Sequence, residues 1–417
     1  MKKNCTRITH DLKLGDDLVE TRNLIKPFIH RTPLIRSRSL SEMTGADVHV
    51  KAENLQKTGA YKVRGVFNKL IGISRSGKVI TASMGNHAQA LAFAARTLGI
   101  ASRIVMPLTV SIPKEEATRA YGAEVFLHGE NLKEALAYAL QQEGYTFVHP
   151  FDDDLVIRGQ ATIGLEIIED LPEPDAIIVP VGGGGLIAGI ALAVKETMPR
   201  TRVIGVQTES APSAYRSFHE HRLAVEPPRP SLADGIAVET LGQRPLAVIS
   251  RLVDDIVLVK EETIALAVLL FLERMKLVVE GAGAAPLAAL IANSERFRGQ
   301  RVVLVASGGN IDLAIMDRIL RKGLVTSGRI ALFEVIVDDT PGSLHALTGI
   351  IARYRANILD VSHNRFTEDL PLGKTRVAFT LEARTRETFN EILSGIRDAG
   401  FTVPRMGSLG EEEKASA

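Results

Sequence analysis

The sequence predicts an α/β fold in which a mostly parallel sheet is covered by helices on both faces and a smaller βαββαβ unit follows. Short apolar segments of strand type alternate with helical segments through most of the chain. Several of these strands end in polar or glycine-rich loops. The composition changes near residues 322–329, and the order of elements beyond that point is different. Alternation of strands and helices is typical of parallel sheets that are buried on both faces.

The first series of elements occupies residues 19–127. An amphipathic helix over 19–29 ends near Pro33, and an alternating strand over 48–52 leads into a segment rich in glycine. The remaining elements are helices over 66–70 and 88–98 and strands over 78–82, 104–106 and 125–127.

The second series contains the most apolar strands. Strands are expected over 176–181, 202–207 and 302–306, and a helix over 186–195. The first of these strands ends in a glycine loop (Gly182, Gly183, Gly184 and Gly185), and the last ends in Ser307-Gly308-Gly309-Asn310. Ligands of open α/β sheets bind beyond the carboxyl ends of the strands, so both loops are candidate binding sites.

The C-terminal part of the chain follows a plan of its own. Strands are expected over 330–337, 357–364, 375–383 and near Phe401, with helices over 342–354 and 386–399. This order is βαββαβ, the ferredoxin-like plan, and the segment is long enough to form a domain. We divide the chain into residues 1–322, a linker over 323–329, a domain over 330–405, and a tail over 406–417 that is expected to be disordered.

Composition narrows the class of protein. The 50 basic and 49 acidic residues give a formal net charge of +1, which offers no electrostatic argument for binding nucleic acid or an acidic membrane surface. Cys5 is the single cysteine, which excludes an internal disulfide framework and fits a reducing compartment. No signal peptide or membrane span is expected from the apolar runs. We therefore expect a cytoplasmic protein.

Two glycines, Gly59 and Gly65, bracket the segment that contains Lys62, and glycine is the residue that lets the backbone come close to a ligand. Tyr61 and Val63 flank Lys62, so its aliphatic stem is expected to lie on apolar surface. A lysine held in this way loses hydration, its pKa falls, and its neutral amine becomes a nucleophile toward carbonyl compounds. The alternative is a solvent-exposed lysine at the start of a helix, which is the commoner situation for lysine.

The glycine loop stands between a strand and a helix and presents consecutive backbone N–H groups at the positive end of the helix dipole. That arrangement suits a phosphate group. The alternative is that the loop is only a tight turn between strand and helix. A turn needs fewer than four glycines, so this run exceeds what a turn requires. A third interpretation is the dinucleotide pattern Gly183-x-Gly185-x-x-Ala188 with Glu209 as the ribose-binding acid.

A second helix start follows the strand at 78–82. In Ser83-Met84-Gly85-Asn86-His87, the serine either caps the helix or places its hydroxyl, together with backbone N–H groups, around a carboxylate. Ser307 either belongs to a strand-end turn or donates a hydrogen bond to a heterocyclic nitrogen. The histidines show no spacing typical of metal ligands.

Taken together, these segments closely resemble the threonine ammonia-lyases (threonine dehydratases), members of the fold-type II pyridoxal-phosphate enzymes. The resemblance covers roughly the first three quarters of the chain, and the remainder resembles an ACT regulatory domain. The matching segments are Arg31-Thr32-Pro33-Leu34, the Lys62 segment, 83–89, 149–153, 182–186, Ala233-Asp234-Gly235, 273–276, Val279-Glu280-Gly281, 307–310 and, in the ACT-like part, Asp339-Thr340-Pro341-Gly342-Ser343-Leu344.

The resemblance implies a two-lobed catalytic domain over 1–322, whose smaller lobe covers about 50–150, and an ACT domain over 330–405. It implies that Lys62 binds pyridoxal 5'-phosphate covalently and then acts as the base, and that Lys62 and Ser83 act in catalysis. Gly182, Gly183, Gly184, Gly185 and Leu186 would hold the phosphate, Asn86 the ring hydroxyl, and Ser307 the pyridine nitrogen. Ser83, Met84, Asn86 and His87 would contact the substrate. A serine at the pyridine nitrogen favours β-elimination over transamination.

The implied reaction converts L-threonine to 2-oxobutanoate and ammonia, with L-serine as a second substrate. The resemblance further implies a homo-oligomer and an amino-acid effector, isoleucine or valine, at Pro341, Gly342, Ser343 and Leu344. Glu209 and Ser213 match part of a cation site of relatives, although Tyr215 stands where those relatives can have an acidic ligand. Ala60, Tyr61 and Met84 also depart from the usual family residues. A racemase or hydroxyaspartate ammonia-lyase on this fold, a nicotinamide-dependent dehydrogenase and a catalytically silent sensor remain alternatives.

Overall fold

The computed structural model describes residues 14–326, 328–365 and 370–407. The chain divides into two compact units at Asp312, and the structure describes the first from residue 14 and the second up to residue 407. Cys5 and the tail beyond residue 407 lie outside the described residues. Within the described ranges, no helix is both long enough and apolar enough to cross a membrane.

The first unit contains two separate sheets. The strands of the larger sheet are β1 (Leu34–Arg36), β2 (Asp47–Lys51), β7 (Ala176–Pro180), β8 (Arg202–Thr208), β9 (Asp255–Val259) and β10 (Arg301–Val305). Their order in the sheet is β1-β2-β10-β7-β8-β9, and all neighbouring strands are parallel except β1 and β2. Every residue of β7 is buried, as expected for a central strand with helices on both faces.

The smaller sheet is wholly parallel. Its strands are β3 (Lys78–Ala82), β4 (Ala101–Met106), β5 (Glu124–Leu127) and β6 (Thr146–Phe147), and their order is β5-β4-β3-β6. The predicted parallel α/β architecture is therefore confirmed. The strand that precedes Lys62 joins the larger sheet, whereas our sequence division placed it near the start of the smaller lobe.

The helices of the first unit pack on the faces of these sheets. They are α1 (Leu14–Ile25), α2 (Arg38–Thr44), α3 (Lys62–Leu70), α4 (Asn86–Leu98), α5 (Ile112–Ala120), α6 (Leu132–Leu140), α7 (Asp154–Asp170), α8 (Gly185–Thr197), α9 (Ser213–His219), α10 (Gln243–Leu252), α11 (Glu261–Leu270), α12 (Gly281–Ala292) and α13 (Ser294–Phe297). A π-helical turn, Phe271–Met275, follows α11.

Close packing between α3 and α7 explains one of the glycines that bracket Lys62. A Cβ atom on Gly65 would lie 2.7 Å from the carbonyl oxygen of Val156, and one on Gly159 would lie 2.5 Å from the Gly65 Cα atom. We expected Gly65 to allow a ligand to approach the backbone. The structure shows instead that Gly65 allows two helices to approach each other.

Four charged side chains form a buried charge cluster (Lys51, Glu53, Arg64 and Glu166), each at most 3% exposed. The Arg64 guanidinium donates to both carboxylates, at 2.8 and 2.9 Å from the Glu53 oxygens and 2.7 Å from Glu166 Oε1. Lys51 Nζ lies 2.5 Å from Glu166 Oε2. Burial opposes ionisation, yet Arg64 and Lys51 hold the pKa of Glu166 below its ordinary value. Two positive and two negative charges thus compensate each other around β2, α3 and α7.

The second unit has the predicted βαββαβ order after an initial helix. Its elements are α14 (Leu313–Thr326), β11 (Ile330–Asp338), α15 (Ser343–Arg353), β12 (Asn357–Asn364), β13 (Lys374–Glu382), α16 (Arg386–Asp398) and β14 (Thr402–Gly407). The sheet is antiparallel with the order β12-β13-β11-β14. Alternate residues of β11 and β13 are buried among Ile350, Leu347 and Ile396, so one face of the sheet meets the helices.

The structure places two elements across the predicted boundaries of the second unit. The predicted linker over 323–329 is partly helical, because α14 continues to Thr326 and belongs to this unit. Its repeating apolar positions, such as Met316 and Ile319, are buried. The predicted tail begins too early, since Met406 and Gly407 are part of β14 and pair with β11.

Candidate active site

A cavity of about 260 Å³ opens in the first unit, at the carboxyl ends of strands from both sheets. Loops that follow β3, β7 and β10 all contribute to its wall. The structure therefore brings together segments that are more than 200 residues apart in the sequence. All the residues that we predicted to bind cofactor or substrate line this cavity. They are Lys62, Ser83, Met84, Asn86, His87, Gly182, Gly183, Gly184, Gly185, Leu186 and Ser307.

Lys62 is held beside Ser307 by backbone pairing. Ala60 forms an antiparallel bridge with Gly308, and the Tyr61 N–H donates to the Ser307 carbonyl at 3.1 Å. The Lys62 amine donates to the Pro150 carbonyl at 3.0 Å and lies 5.2 Å from the centre of the Tyr61 ring. Burial lowers the pKa of Lys62 to about 8, although the Glu280 carboxylate opposes this shift. Lys62 is half-buried in the cavity wall, unlike the solvent-exposed lysine of the alternative interpretation.

The glycine loop leads into α8, whose first turn is buried. Gly184 occupies the N-cap position with φ of +90°, a conformation that L side chains rarely adopt, and no side chain caps the helix. A Cβ atom on Gly183 would lie 2.3 Å from the Phe151 ring, and one on Gly184 would lie 2.8 Å from Pro245. Glycine is thus required here by the loop's own packing, while the helix dipole points its positive end at the cavity.

The segment from Ser83 to His87 supplies polar groups from the smaller lobe. Ser83 does not cap α4. The N-cap residue is Gly85, whose N–H donates to Ser83 Oγ at 3.3 Å. His87 Nε2 lies 3.0 Å from the Val148 carbonyl, which fixes the proton on that nitrogen because a carbonyl only accepts. Burial and the nearby Lys62 lower the pKa of His87 to about 3, so its imidazole is neutral.

Sequence reasoning missed Glu280 as a residue of the site. It lies just before α12, is 6% exposed and lines the cavity, with Oε1 accepting a hydrogen bond from Asn86 Nδ2 at 2.8 Å. Burial and the neighbouring Asp234 raise its pKa to about 8, whereas the Asn86 hydrogen bond opposes the shift. A single acid inside the apolar run Val278-Val279-Glu280 is the signal that identifies it.

Two further charged residues at the cavity were also missed. Lys114 of α5 and Asp234 form an ion pair of 2.9 Å, and both line the cavity. Asp234 belongs to the segment Ala233-Asp234-Gly235, which carried the family resemblance without an assigned role. This ion pair links α5 of the smaller lobe to the Asp234 segment of the larger lobe at the cavity wall.

The residues predicted to bind a cation lie elsewhere. Glu209 is exposed and lines a different surface cavity, together with Arg229 and Lys260, and Ser213 is buried with its hydroxyl donating to the Val238 carbonyl at 2.8 Å. Within the described ranges, no cluster of three His, Cys, Asp or Glu residues could hold a metal ion. Glu209, which the dinucleotide interpretation assigns to ribose binding, does not line the cavity that contains the glycine loop.

The predicted effector residues belong to the second unit. Gly342, with φ of +100°, precedes α15, and Ser343 Oγ donates to the Asp338 carbonyl at 2.8 Å. The Ser343 N–H donates to the Thr340 carbonyl at 3.3 Å, so this backbone donor is already engaged within the turn. Pro341 and Leu344 complete the predicted segment.

Comparison with known proteins points to one family. Residues 25–308 match the family model described as "Pyridoxal-phosphate dependent enzyme". The L-threonine ammonia-lyase of Geobacter sulfurreducens is 47% identical over 390 residues, covering 92% of this chain and 97% of the relative.

Two solved structures extend the comparison. A threonine deaminase from T.th. aligns with a TM-score of 0.69 and 42% identity, over 72% of this chain and 98% of that one. Maize serine racemase aligns with a TM-score of 0.69 and 33% identity, over 75% of this chain and 98% of the racemase chain. With this match of the sequence and of the fold around the Lys62 cavity, the chain belongs to the pyridoxal-phosphate-dependent enzyme family.

Proposed function

We propose that this protein is a threonine ammonia-lyase that converts L-threonine to 2-oxobutanoate and ammonia, and L-serine to pyruvate and ammonia. The observation that carries the proposal is the Lys62 amine, which has a lowered pKa and lies in one cavity with the glycine loop and Ser307. The names of the Geobacter relative and of the T.th. threonine deaminase support the choice of threonine.

The cavity fits pyridoxal phosphate in two respects. The Lys62 amine is partly buried, and its lowered pKa provides the neutral nucleophile that a carbonyl cofactor requires. The first turn of α8 faces the cavity without a side-chain cap, so its backbone N–H groups suit a phosphate. Lys62, Asn86, Leu186, Ser307 and the glycine loop would hold the cofactor, which supplies the electron withdrawal from the substrate's α-carbon.

Side chains and backbone groups of the protein would move the proton, bind the substrate carboxylate and limit the space around the substrate. The Lys62 amine, once free, takes the proton from the substrate's α-carbon, because its lowered pKa allows it to accept a proton near neutral pH. Ser83 and the N–H groups at the start of α4 bind the substrate carboxylate. Met84 and the neutral His87 line the same wall and limit the space around the β-substituent.

The test of this proposal is product analysis. Purified protein should show a visible absorption band from bound cofactor. Adding L-threonine should release equal amounts of 2-oxobutanoate and ammonia. Accumulation of D-serine from L-serine without a 2-oxoacid would establish the racemase alternative, which the similarity to maize serine racemase keeps open. Turnover of hydroxyaspartate in place of threonine would establish the hydroxyaspartate ammonia-lyase alternative.

Replacing Gly184 by alanine should impair cofactor retention. The added Cβ atom meets Pro245, Ile249 and Leu241 at 2.8–2.9 Å and is strained at φ of +90°, so the loop must shift from the cavity wall. Gly144→Ala is the matched control, because Gly144 has φ of +76° but open space around it. We expect Gly184→Ala to lose cofactor on dialysis while Gly144→Ala retains it; equal retention would contradict the assigned role of the loop.

We further propose that the second unit is an ACT domain that regulates the enzyme and joins subunits into a homo-oligomer. Its βαββαβ order and antiparallel sheet support the assignment, as does the resemblance of its Asp339–Leu344 segment. Isoleucine or valine is the proposed effector, since either would report the level of a pathway that consumes 2-oxobutanoate. Allosteric control requires the effector to bind two states of the protein with different affinity.

Ending the chain after Asp312 should leave an active lyase that no longer responds to isoleucine or valine. This boundary keeps the first unit whole and removes α14 together with the βαββαβ segment. The T.th. threonine deaminase supports the design, since 98% of its length aligns with 72% of this chain. The measurement is threonine saturation with and without each amino acid, on full-length and shortened protein. If neither amino acid shifts the full-length curve, the effector proposal fails.

A further inference from the structure

The Asn86 side chain connects the two lobes of the first unit through a chain of hydrogen bonds. Asn86 begins α4 beside the smaller sheet, whereas Glu280 and Asn310 lie on loops next to the larger one. Asn310 Nδ2 donates to the Thr58 carbonyl at 2.7 Å and to Asn86 Oδ1 at 2.8 Å. Asn86 Nδ2 in turn donates to Glu280 Oε1 at 2.8 Å.

The direction of these bonds fixes how the Asn86 carboxamide is turned. The Thr58 carbonyl can only accept, so the Asn310 atom that faces it must be the NH₂ group. The second N–H of that group then requires an acceptor, which makes the facing atom of Asn86 its oxygen. The NH₂ group of Asn86 consequently faces Glu280. A backbone carbonyl thereby determines the orientation of an amide that could otherwise flip.

The surroundings of Glu280 hold its carboxyl in place. The Glu280 N–H donates to the Gly308 carbonyl at 3.0 Å, and a Cβ atom on Gly308 would lie 2.4 Å from Glu280 Oε1. The same strand-end loop pairs with the Lys62 segment through Ala60 and Gly308. One N–H of Asn86 is bound to Glu280, and within the described ranges no residue engages the other.

We propose that Asn310 and Glu280 are positioning residues that hold the Asn86 amide with its NH₂ group at the cavity, so that the site presents a fixed N–H donor to an oxygen of the bound ligand. The inference rests on the proposed function, in which that oxygen is the ring hydroxyl of pyridoxal phosphate. Neither residue needs to touch the cofactor. Both act by preventing the amide from presenting its oxygen, which would repel a ring oxygen.

The test compares apoprotein variants by titration with pyridoxal phosphate. Asn310→Leu and Glu280→Leu each remove one contact that orients Asn86. We expect both to weaken cofactor affinity about three- to tenfold, the effect of one hydrogen bond, and to displace the visible absorption maximum. Glu280→Gln should keep the cofactor affinity and the absorption maximum near those of the wild type, because its side-chain oxygen can still accept a hydrogen bond from Asn86. Asn310→Ala serves as a second variant if leucine prevents folding.

Asn68→Leu is the matched control. Like Asn310, Asn68 donates from its amide to a backbone carbonyl, that of Leu155 at 2.7 Å, but it lies away from the cavity wall. It should lower the melting temperature without moving the absorption maximum. If the Asn310 variants and Glu280→Leu lower only the melting temperature, as Asn68→Leu does, the positioning role is overturned. If wild-type apoprotein takes up no pyridoxal phosphate, the proposed function fails, and the inference fails with it.

Discussion

Lys62→Ala is expected to reduce threonine turnover by at least about a thousandfold, because the substitution removes both the nucleophile for the cofactor and the base for the substrate. The side chain lines the cavity without forming part of the core, and its amine donates a hydrogen bond to the Pro150 carbonyl. The fold should therefore persist. Activity is measured by release of 2-oxobutanoate, and borohydride reduction of the wild type should attach the mass of the cofactor to the peptide that carries Lys62.

Lys69→Ala provides the control for this experiment. Lys69 belongs to the same helix, α3, but its amine pairs with Asp153 at 2.7 Å and it does not line the cavity. Turnover by this variant should stay within severalfold of the wild type. Recovery of the reduced cofactor on Lys69 or on any other lysine would disprove the assignment of Lys62.

Arg64→Met is expected to destabilise the first unit by about 3–5 kcal/mol, since it leaves two buried carboxylates with a single positive partner. Lys51 remains beside Glu166, but Glu53 loses its two hydrogen bonds to the guanidinium. The measurement is hydrogen exchange of the amides of α3 and α7, which reports the opening of this unit. Adding Glu53→Gln to Arg64→Met should restore part of the loss, because it removes the uncompensated charge.

The control for Arg64 is Arg103, which also pairs with a carboxylate but has a side chain that is 23% exposed, whereas that of Arg64 is fully buried. Arg103 makes two hydrogen bonds to Glu124, at 2.9 and 3.0 Å, and the Glu124 side chain is 56% exposed. Arg103→Met should cost less than about 1 kcal/mol, as is usual for exposed ion pairs. If Arg64→Met costs no more than Arg103→Met, the buried charge cluster does not stabilise the unit as inferred.

The elements of the fold were predictable where local patterns are strong. The largely apolar segment over 330–337 identified β11, and the apolar run before the glycine loop identified β7. The pairing of β2 was not predictable from its own residues. Its sheet is decided by parallel contact with β10, whose residues lie about 250 positions later. No periodicity in a single segment contains that information.

In the candidate site, too, local sequence patterns predicted some features, whereas contacts between distant segments were not predictable. The placement of Lys62, the glycine loop and Ser307 at one cavity was predictable because each stands at a strand end or helix start with residue types that suit one chemistry. The acid within an apolar run was a local signal for Glu280, but the contacts of Glu280 and Asn310 with Asn86 become visible only when the two lobes are placed together. The reason for glycine at 183 and 184 was likewise hidden, since Phe151 and Pro245 come from distant segments.

The pairing of β2 with β10 also has a consequence for the newly made chain. Lys62 leaves the ribosome early, but its neighbours Ser307 and Gly308 are added about 250 residues later. At about 5–20 residues per second, this interval lasts roughly 12–50 s. During that time β2 cannot pair with β10, and the part of the cavity wall that follows β10 has not yet been made. Capture of the cofactor is therefore expected only after synthesis has passed residue 310, late in the production of the first unit.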